Sequence, residues 1–281
     1  MANDNDLPGS RKNTTVSDDK LDLDLSGSSE LVPVEAVTNS NHNSKHNQHS
    51  LADSVAASKQ IARMKEPKSL DIKTYSELKI IHPDMKEKNA VNLYRNLRTK
   101  LLQITKNRNF VVLITSVIEG GGATHIALNL ASSFSFDSTK TALLLDCNLS
   151  NPSLDKILGV KIEHGITDFI ENENISISEI IYSTGVHRLR LVPVGNRRES
   201  SLDYFTSIRM QILIEAMKRR YPDRFIFIDS PAIGQYADAK ILADLCDFII
   251  LVVPYAGITE SKLQQIINTL DKTKFAGVVF N

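Results

Sequence analysis

Between Phe110 and Ala131 the chain reads FVVLITSVIEGGGATHIALNLA. A run of aliphatic and β-branched residues stops at Thr115 and Ser116, glycines follow at Gly120, Gly121 and Gly122, and an amphipathic stretch starts at Ala123 and Thr124. Strand, glycine loop and helix in that order form a P-loop, in which backbone N–H groups and a helix N-terminus surround a phosphate. One residue departs from the motif. Gly-Lys-Ser/Thr is expected at its end, and Gly122-Ala123-Thr124 stands there instead, so a methyl group replaces the cation that would sit on the β- and γ-phosphates.

Beyond Phe110 the pattern alternates strand and helix to Asn281. Strands are predicted at Phe110–Thr115, Thr141–Asp146, Leu189–Val194, Arg224–Asp229, Phe248–Val253 and Ala276–Phe280. Helices are predicted between them at Thr124–Phe136, Ser153–Ile157, Asp203–Arg219, Ala237–Leu242 and Thr259–Leu270. Runs such as FIFID and FIILVV are apolar at nearly every position, the mark of strands buried on both faces of a parallel sheet. The reading is a three-layer α/β fold with a mostly parallel sheet of the P-loop NTPase type. Ligands belong at the carboxyl ends of its strands.

The residues ahead of this core divide in two. Residues 1–50 are rich in Asn, Ser, Asp, Lys and His and hold too little apolar surface to offset the cost of ordering, so they read as a disordered tail. His42, His46 and His49 lie in that tract with no Cys or carboxylate framework, which argues against a metal site. Residues 51–85 read as a short helix, Leu51 to Met64, and a linker containing Pro67. The core domain, 86–281, then opens on a helix from Lys86 to Thr105 whose Val91, Leu93, Tyr94, Leu97, Leu101 and Leu102 fall roughly on one face.

Composition excludes several classes. The 33 basic and 33 acidic side chains cancel, so no global field favours nucleic acid or an anionic surface. Cys147 and Cys246 lie in or beside strands at no metal-ligand spacing, as buried thiols do in a reducing compartment. The N-terminus lacks a basic-then-apolar leader pattern, and no apolar run approaches the roughly 18 residues that span a bilayer. A cytoplasmic protein, peripheral to the inner membrane through a partner, is the expectation.

Two further acidic elements accompany the loop: LLLDCN, with Asp146 at the end of the second strand, and FIFIDSP, with Asp229 at the end of the fourth. A carboxylate ending a buried strand beside a P-loop is where Mg²⁺ or its waters are held. With TS-x-x-x-G-x-G from Thr115 to Gly122, the NLA of Asn129 to Ala131, NPSL-x-x-x-LG from Asn151 to Gly159, RYPDRFIFIDSP from Arg220 to Pro231 and GVV-x-N from Gly277 to Asn281, the chain resembles the bacterial tyrosine autokinases that regulate exopolysaccharide and capsule chain length. It also resembles the members of that family linked to exosortase loci. They belong to the deviant P-loop group that includes MinD and ParA, whose extra loop lysine would fall at Ile118 here.

The resemblance implies an ATP or ADP site with Mg²⁺, cradled by Gly120, Gly121, Gly122 and Thr124. Thr124, Asp146 and Asp229 would be the metal-side groups, and Asp146 and Asp229 the catalytic carboxylates. It also implies losses. Ala123 stands at the lysine position. The family's Asp-x-Asp-x-Arg reads Asp146-Cys147-Asn148-Leu149-Ser150, so the second carboxylate is an amide and the Arg a serine. The Glu-x-x-Arg-x-x-Arg helix that contacts a neighbouring subunit in the family reads Asn92, Arg95, Arg98, leaving Arg95 and Arg98 as interface candidates. Tyrosines are scattered, and the acceptor tail is expected to be missing. Removing a transition-state stabiliser commonly costs roughly 10²–10³ in rate. The expectation is therefore a regulatory pseudo-kinase with weak nucleotide binding that docks on a membrane chain-length or export partner, with homo-oligomer formation and no nucleic-acid role. Two alternatives stand beside it. One is a slow ATPase or kinase using a lysine from elsewhere, Lys140 being a candidate. The other is a scaffold that never meets nucleotide, in which Asp146 and Asp229 merely cap helices.

Overall fold

The computed structural model describes residues 69–281, apart from 86, 87, 138, 197–200 and 221–223. The tail, the 51–64 helix, the Pro67 linker and the His42, His46, His49 cluster lie outside the described residues. In chain order come α1 (Ile72–Glu77), α2 (Lys88–Ile104), β1 (Val111–Ser116), α3 (Ala123–Ser135), β2 (Thr141–Asp146), α4 (Leu154–Ile157), α5 (Ile166–Glu171), β3 (Tyr182–Ser183) and β4 (Leu189–Val192). They continue with α6 (Ser201–Thr206), α7 (Ile208–Arg220), β5 (Arg224–Asp229), α8 (Ala237–Leu245), β6 (Phe248–Val253), α9 (Glu260–Thr269) and β7 (Phe275–Phe280).

The strands form a single seven-stranded sheet in the order β3-β4-β2-β5-β1-β6-β7, parallel except for the β3 edge. Strand β1 is central, hydrogen-bonded to β5 and β6. Its side chains alternate: Val111 and Leu113 enter one core while Val112 and Ile114 enter the other, as the two-residue period of a strand demands. On one face α5 to α9 cover the first core; on the other α2, α3 and α4 cover the second. The second core centres on an aromatic cluster. Phe134 of α3 lies 4.7 Å from Phe225 and 5.1 Å from Phe227, and Phe110 lies 4.9 Å from Phe225. These contacts fix helix α3 against the sheet and so place the loop that precedes it.

Three departures from the sequence reading have local causes. The helix predicted over Asp203–Arg219 breaks at Ser207, whose hydroxyl accepts from Met210 N at 3.1 Å and donates to the Tyr204 carbonyl. Strand β4 stops at Val192 because the next carbonyls, of Pro193 and Val194, accept from Ile166 N and Thr167 N and so begin α5. The described part of the linker, from 69 to 85, packs on the domain: Asp71 caps α1 through Thr74 N, Ile80 and Ile81 are buried, and Asn129 ties the strand-like segment to α3. Both cysteines are buried free thiols.

Candidate functional site

The site forms where β1 turns into α3. Gly120 has φ 72° and Gly122 φ 91°, left-handed conformations that a side chain would strain, and Gly122 is the N-cap of α3. Gly121 N donates to the Ile118 carbonyl at 3.2 Å, and the Asn281 amide donates to the Gly121 carbonyl at 3.3 Å, bracing the loop from the end of β7. A Cβ on Gly122 would meet that amide at 2.1 Å. The first-turn N–H groups of α3 have no intrahelical acceptor and open onto a cavity of about 460 Å³. Gly120, Gly121, Gly122, Ala123 and Thr124 line the end of the cavity next to this helix N-terminus.

Asn148, Ser150, Asn151 and Ser153 of the β2–α4 loop form one wall; Ser230, Pro231, Ala232 and Tyr236 form another. Glu77 and Leu78 contribute a third, which sequence reasoning missed. They reach the cavity because Asn129, one turn and more along α3, accepts from Ile81 N at 2.8 Å and donates to the carbonyls of Lys79 and His125. Among the described residues no Lys or Arg lines the cavity.

The two predicted carboxylates lie side by side beneath the cavity rather than in its lining, at paired positions on β2 and β5. They differ in how they are satisfied. Asp146 accepts from the backbone N–H groups of Asn148, Ser153 and Leu154, each at 3.1 Å, so it caps the start of α4. Burial nevertheless raises its pKa to about 6, against the pull of those donors. Asp229 is fully buried and neither carboxylate oxygen has a hydrogen-bond partner. Burial, then the Asp146 charge, push its pKa well up; the Thr124 hydroxyl and Ser230 N–H pull the other way without satisfying either oxygen. The repulsion falls on Asp229 because Asp146 has three donors to hold its charge.

Among the described residues no cluster of three or more His, Cys, Asp or Glu side chains could hold a metal by itself. The orphaned oxygens of Asp229 beside the Thr124 hydroxyl do suit Mg²⁺, which takes one or two carboxylates and completes its shell with water and phosphate oxygens. Asn148 is engaged in a turn, its side-chain oxygen accepting from Asn151 N at 3.2 Å.

The remaining candidates lie elsewhere. Arg98 donates to the Ser133 carbonyl at 2.7 Å and so ties α2 to α3, while Arg95 is exposed beside it. Lys140 precedes β2, at the opposite end of the strand from Asp146, and sits over the Phe225 ring at 5.6 Å. Six residues of strand separate it from the cavity by roughly 20 Å, so within one chain it does not replace the missing loop lysine.

Comparison with known proteins agrees with this geometry. No protein-family model matches the chain. It is 28% identical over 211 residues to tyrosine-protein kinase CpsD of Streptococcus agalactiae serotype III, covering 73% of this chain and 88% of that one. It is 32% identical over 201 residues to CpsD of Streptococcus pneumoniae serotype 4, covering 69% and 85%. The kinase domain of the Escherichia coli tyrosine kinase ETK superposes with a TM-score of 0.66 at 19% identity, covering 78% of this chain and 82% of that one, which shows a shared fold. With a nucleotide-type loop at the centre of a parallel sheet and this level of identity across most of both chains, the protein belongs to the bacterial tyrosine-protein kinase family that contains CpsD.

Proposed function

We propose that this chain is a regulatory protein of exopolysaccharide or capsule assembly that keeps the tyrosine-kinase fold around a degenerate ATP site. The observation that carries the reading is the cavity wall: a P-loop with intact glycines and Thr124, yet Ala123 at the lysine position and no Lys or Arg lining it among the described residues. Phosphoryl transfer depends on positioning and on neutralising charge around the phosphates. The backbone donors of Gly120 to Gly122 and the α3 N-terminus would hold a diphosphate. Thr124 and Asp229 would hold Mg²⁺, which when bound would supply cationic charge at the phosphates that no described Lys or Arg of the lining provides. Asp146 shapes the β2–α4 loop and keeps Asp229 from ionising freely. Asn148, locked in its turn with Asn151, supplies neither a base nor a metal ligand. Binding is thus retained weakly and turnover is largely lost.

The chain acts by docking on a membrane-embedded chain-length or export partner, from the cytoplasmic side of the inner membrane. No helix of the described residues is long and apolar enough to cross a membrane. Exposed Arg95 on α2 is available to a neighbouring copy, whereas Arg98 serves the chain's own packing. The test is phosphotyrosine formation and ATP hydrolysis by the purified protein with Mg-ATP. Background rates equal to those of Asp229→Ala support the reading; robust turnover abolished by Asp229→Ala refutes it in favour of an active kinase.

A further inference from the structure

We propose that Glu119, held by Gln235 and Tyr236, makes this pocket select nucleoside diphosphates over triphosphates. The inference rests on the reading of the cavity as a weak nucleotide site. Glu119 directly precedes the glycines and lines the cavity with Tyr236. Its backbone N–H donates to Gln235 Oε1 at 2.7 Å, and the Tyr236 hydroxyl donates to Glu119 Oε2 at 3.3 Å. Both partners belong to the loop between β5 and α8, and that loop is itself anchored: Ile233 N donates to the Ser116 carbonyl at 2.9 Å and to Thr115 Oγ1 at 3.1 Å. The P-loop side is braced as well, by Ser116 Oγ donating to the Ile118 carbonyl at 2.5 Å. Gln235 thus holds the Glu119 backbone and Tyr236 its carboxylate, between two tied loops.

Glu119 shares the cavity with Gly122 to Thr124 on one side and with the loop that follows Asp229 on the other. A helix N-terminus at a P-loop holds phosphate, so Gly122 to Thr124 would hold a diphosphate, and Thr124 and Asp229 are the residues that would hold Mg²⁺. A third phosphate would have to fit in the same cavity, whose lining includes the Glu119 carboxylate. A triphosphate brings further negative charge against it, in a wall where no Lys or Arg among the described residues offsets either. A like charge near contact distance in a solvent-open site changes affinity by about tenfold.

The experiment is calorimetric titration of the full chain with Mg-ADP and with a non-hydrolysable Mg-ATP analogue, in the wild type and in an Ala123→Lys background that raises affinity for both. The diphosphate is expected to bind about tenfold tighter in each. Glu119→Gln should bring the two ligands within about twofold by tightening the triphosphate, and Tyr236→Phe, which removes one hydrogen bond, should fall between. Equal affinities without the substitution, or a ratio that Glu119→Gln leaves unchanged, overturn the inference while leaving the nucleotide site standing. Absence of saturable binding to either protein overturns both.

Discussion

Replacing Asp229 by asparagine in metal-free buffer should stabilise the protein, and by more as the pH rises. The folded-state pKa of Asp229 lies well above the ordinary value of 3.8, so the folded chain holds a proton that the unfolded chain releases. Stability contributed at this position is therefore greatest below 3.8 and falls as the pH climbs toward the folded pKa. Each pH unit in that window costs about 1.4 kcal/mol, so between 3.8 and 7 the wild type gives up at most about 4 kcal/mol. Asparagine never ionises, and its own unpaired burial returns about 1–3 kcal/mol of that. The net gain at pH 7 is therefore at most about 1–3 kcal/mol, or up to roughly 3–10 °C in Tm for a domain of this size. Thermal and urea unfolding at pH 5 and pH 7.5 with chelator present would measure it. An Asp229→Asn variant that melts below the wild type at pH 7.5, or whose advantage does not widen between the two pH values, would refute the reasoning. A stabilising result would mean that the carboxylate is kept at a cost, as expected of a group whose charge is needed by something it binds.

Other perturbations probe the scaffold around the loop. Gly122→Ala forces a Cβ into a left-handed conformation and against the Asn281 amide, and should cost about 1–3 kcal/mol in denaturant unfolding. Asn129→Ala leaves the buried Ile81 N–H without its acceptor; a loss of about 1–3 kcal/mol and faster proteolysis within 70–85 are expected. Lys140→Ala should leave Mg-ADP affinity unchanged and lower stability by less than about 1 kcal/mol, the scale of its contact with Phe225, as read by calorimetry and thermal melts.

The strands were readable because each of the central ones is buried on both faces, which writes an uninterrupted apolar run into the sequence; Thr141–Asp146, Arg224–Asp229 and Phe248–Val253 have the same limits in both. The loop was readable for a similar reason, since glycine at positive φ is a local requirement. What escaped depends on distant partners. Helix α1 is short and polar, and the anchor of the segment after it, Asn129, lies about fifty residues away, so nothing local announced that Glu77 and Leu78 reach the cavity. The two-residue strand β3 exists only as an antiparallel edge to β4. The division of labour between Asp146 and Asp229 was also hidden. Both end buried strands in similar sequence contexts, yet only Asp146 meets the backbone donors of a following helix, and only Asp229 is left bare. Lys140 shows the reverse error: proximity to a site strand in sequence placed it at the wrong end of that strand.

The central claim is that missing charge, not a collapsed loop, limits this site. Calorimetric titration of Mg-ADP and Mg-ATP into the wild type and into the Ala123→Lys, Asn148→Asp double variant tests it most directly. Little or weak binding in the wild type with affinity recovered by at least about tenfold in the variant is the predicted result. Equal affinity in the two proteins would contradict it.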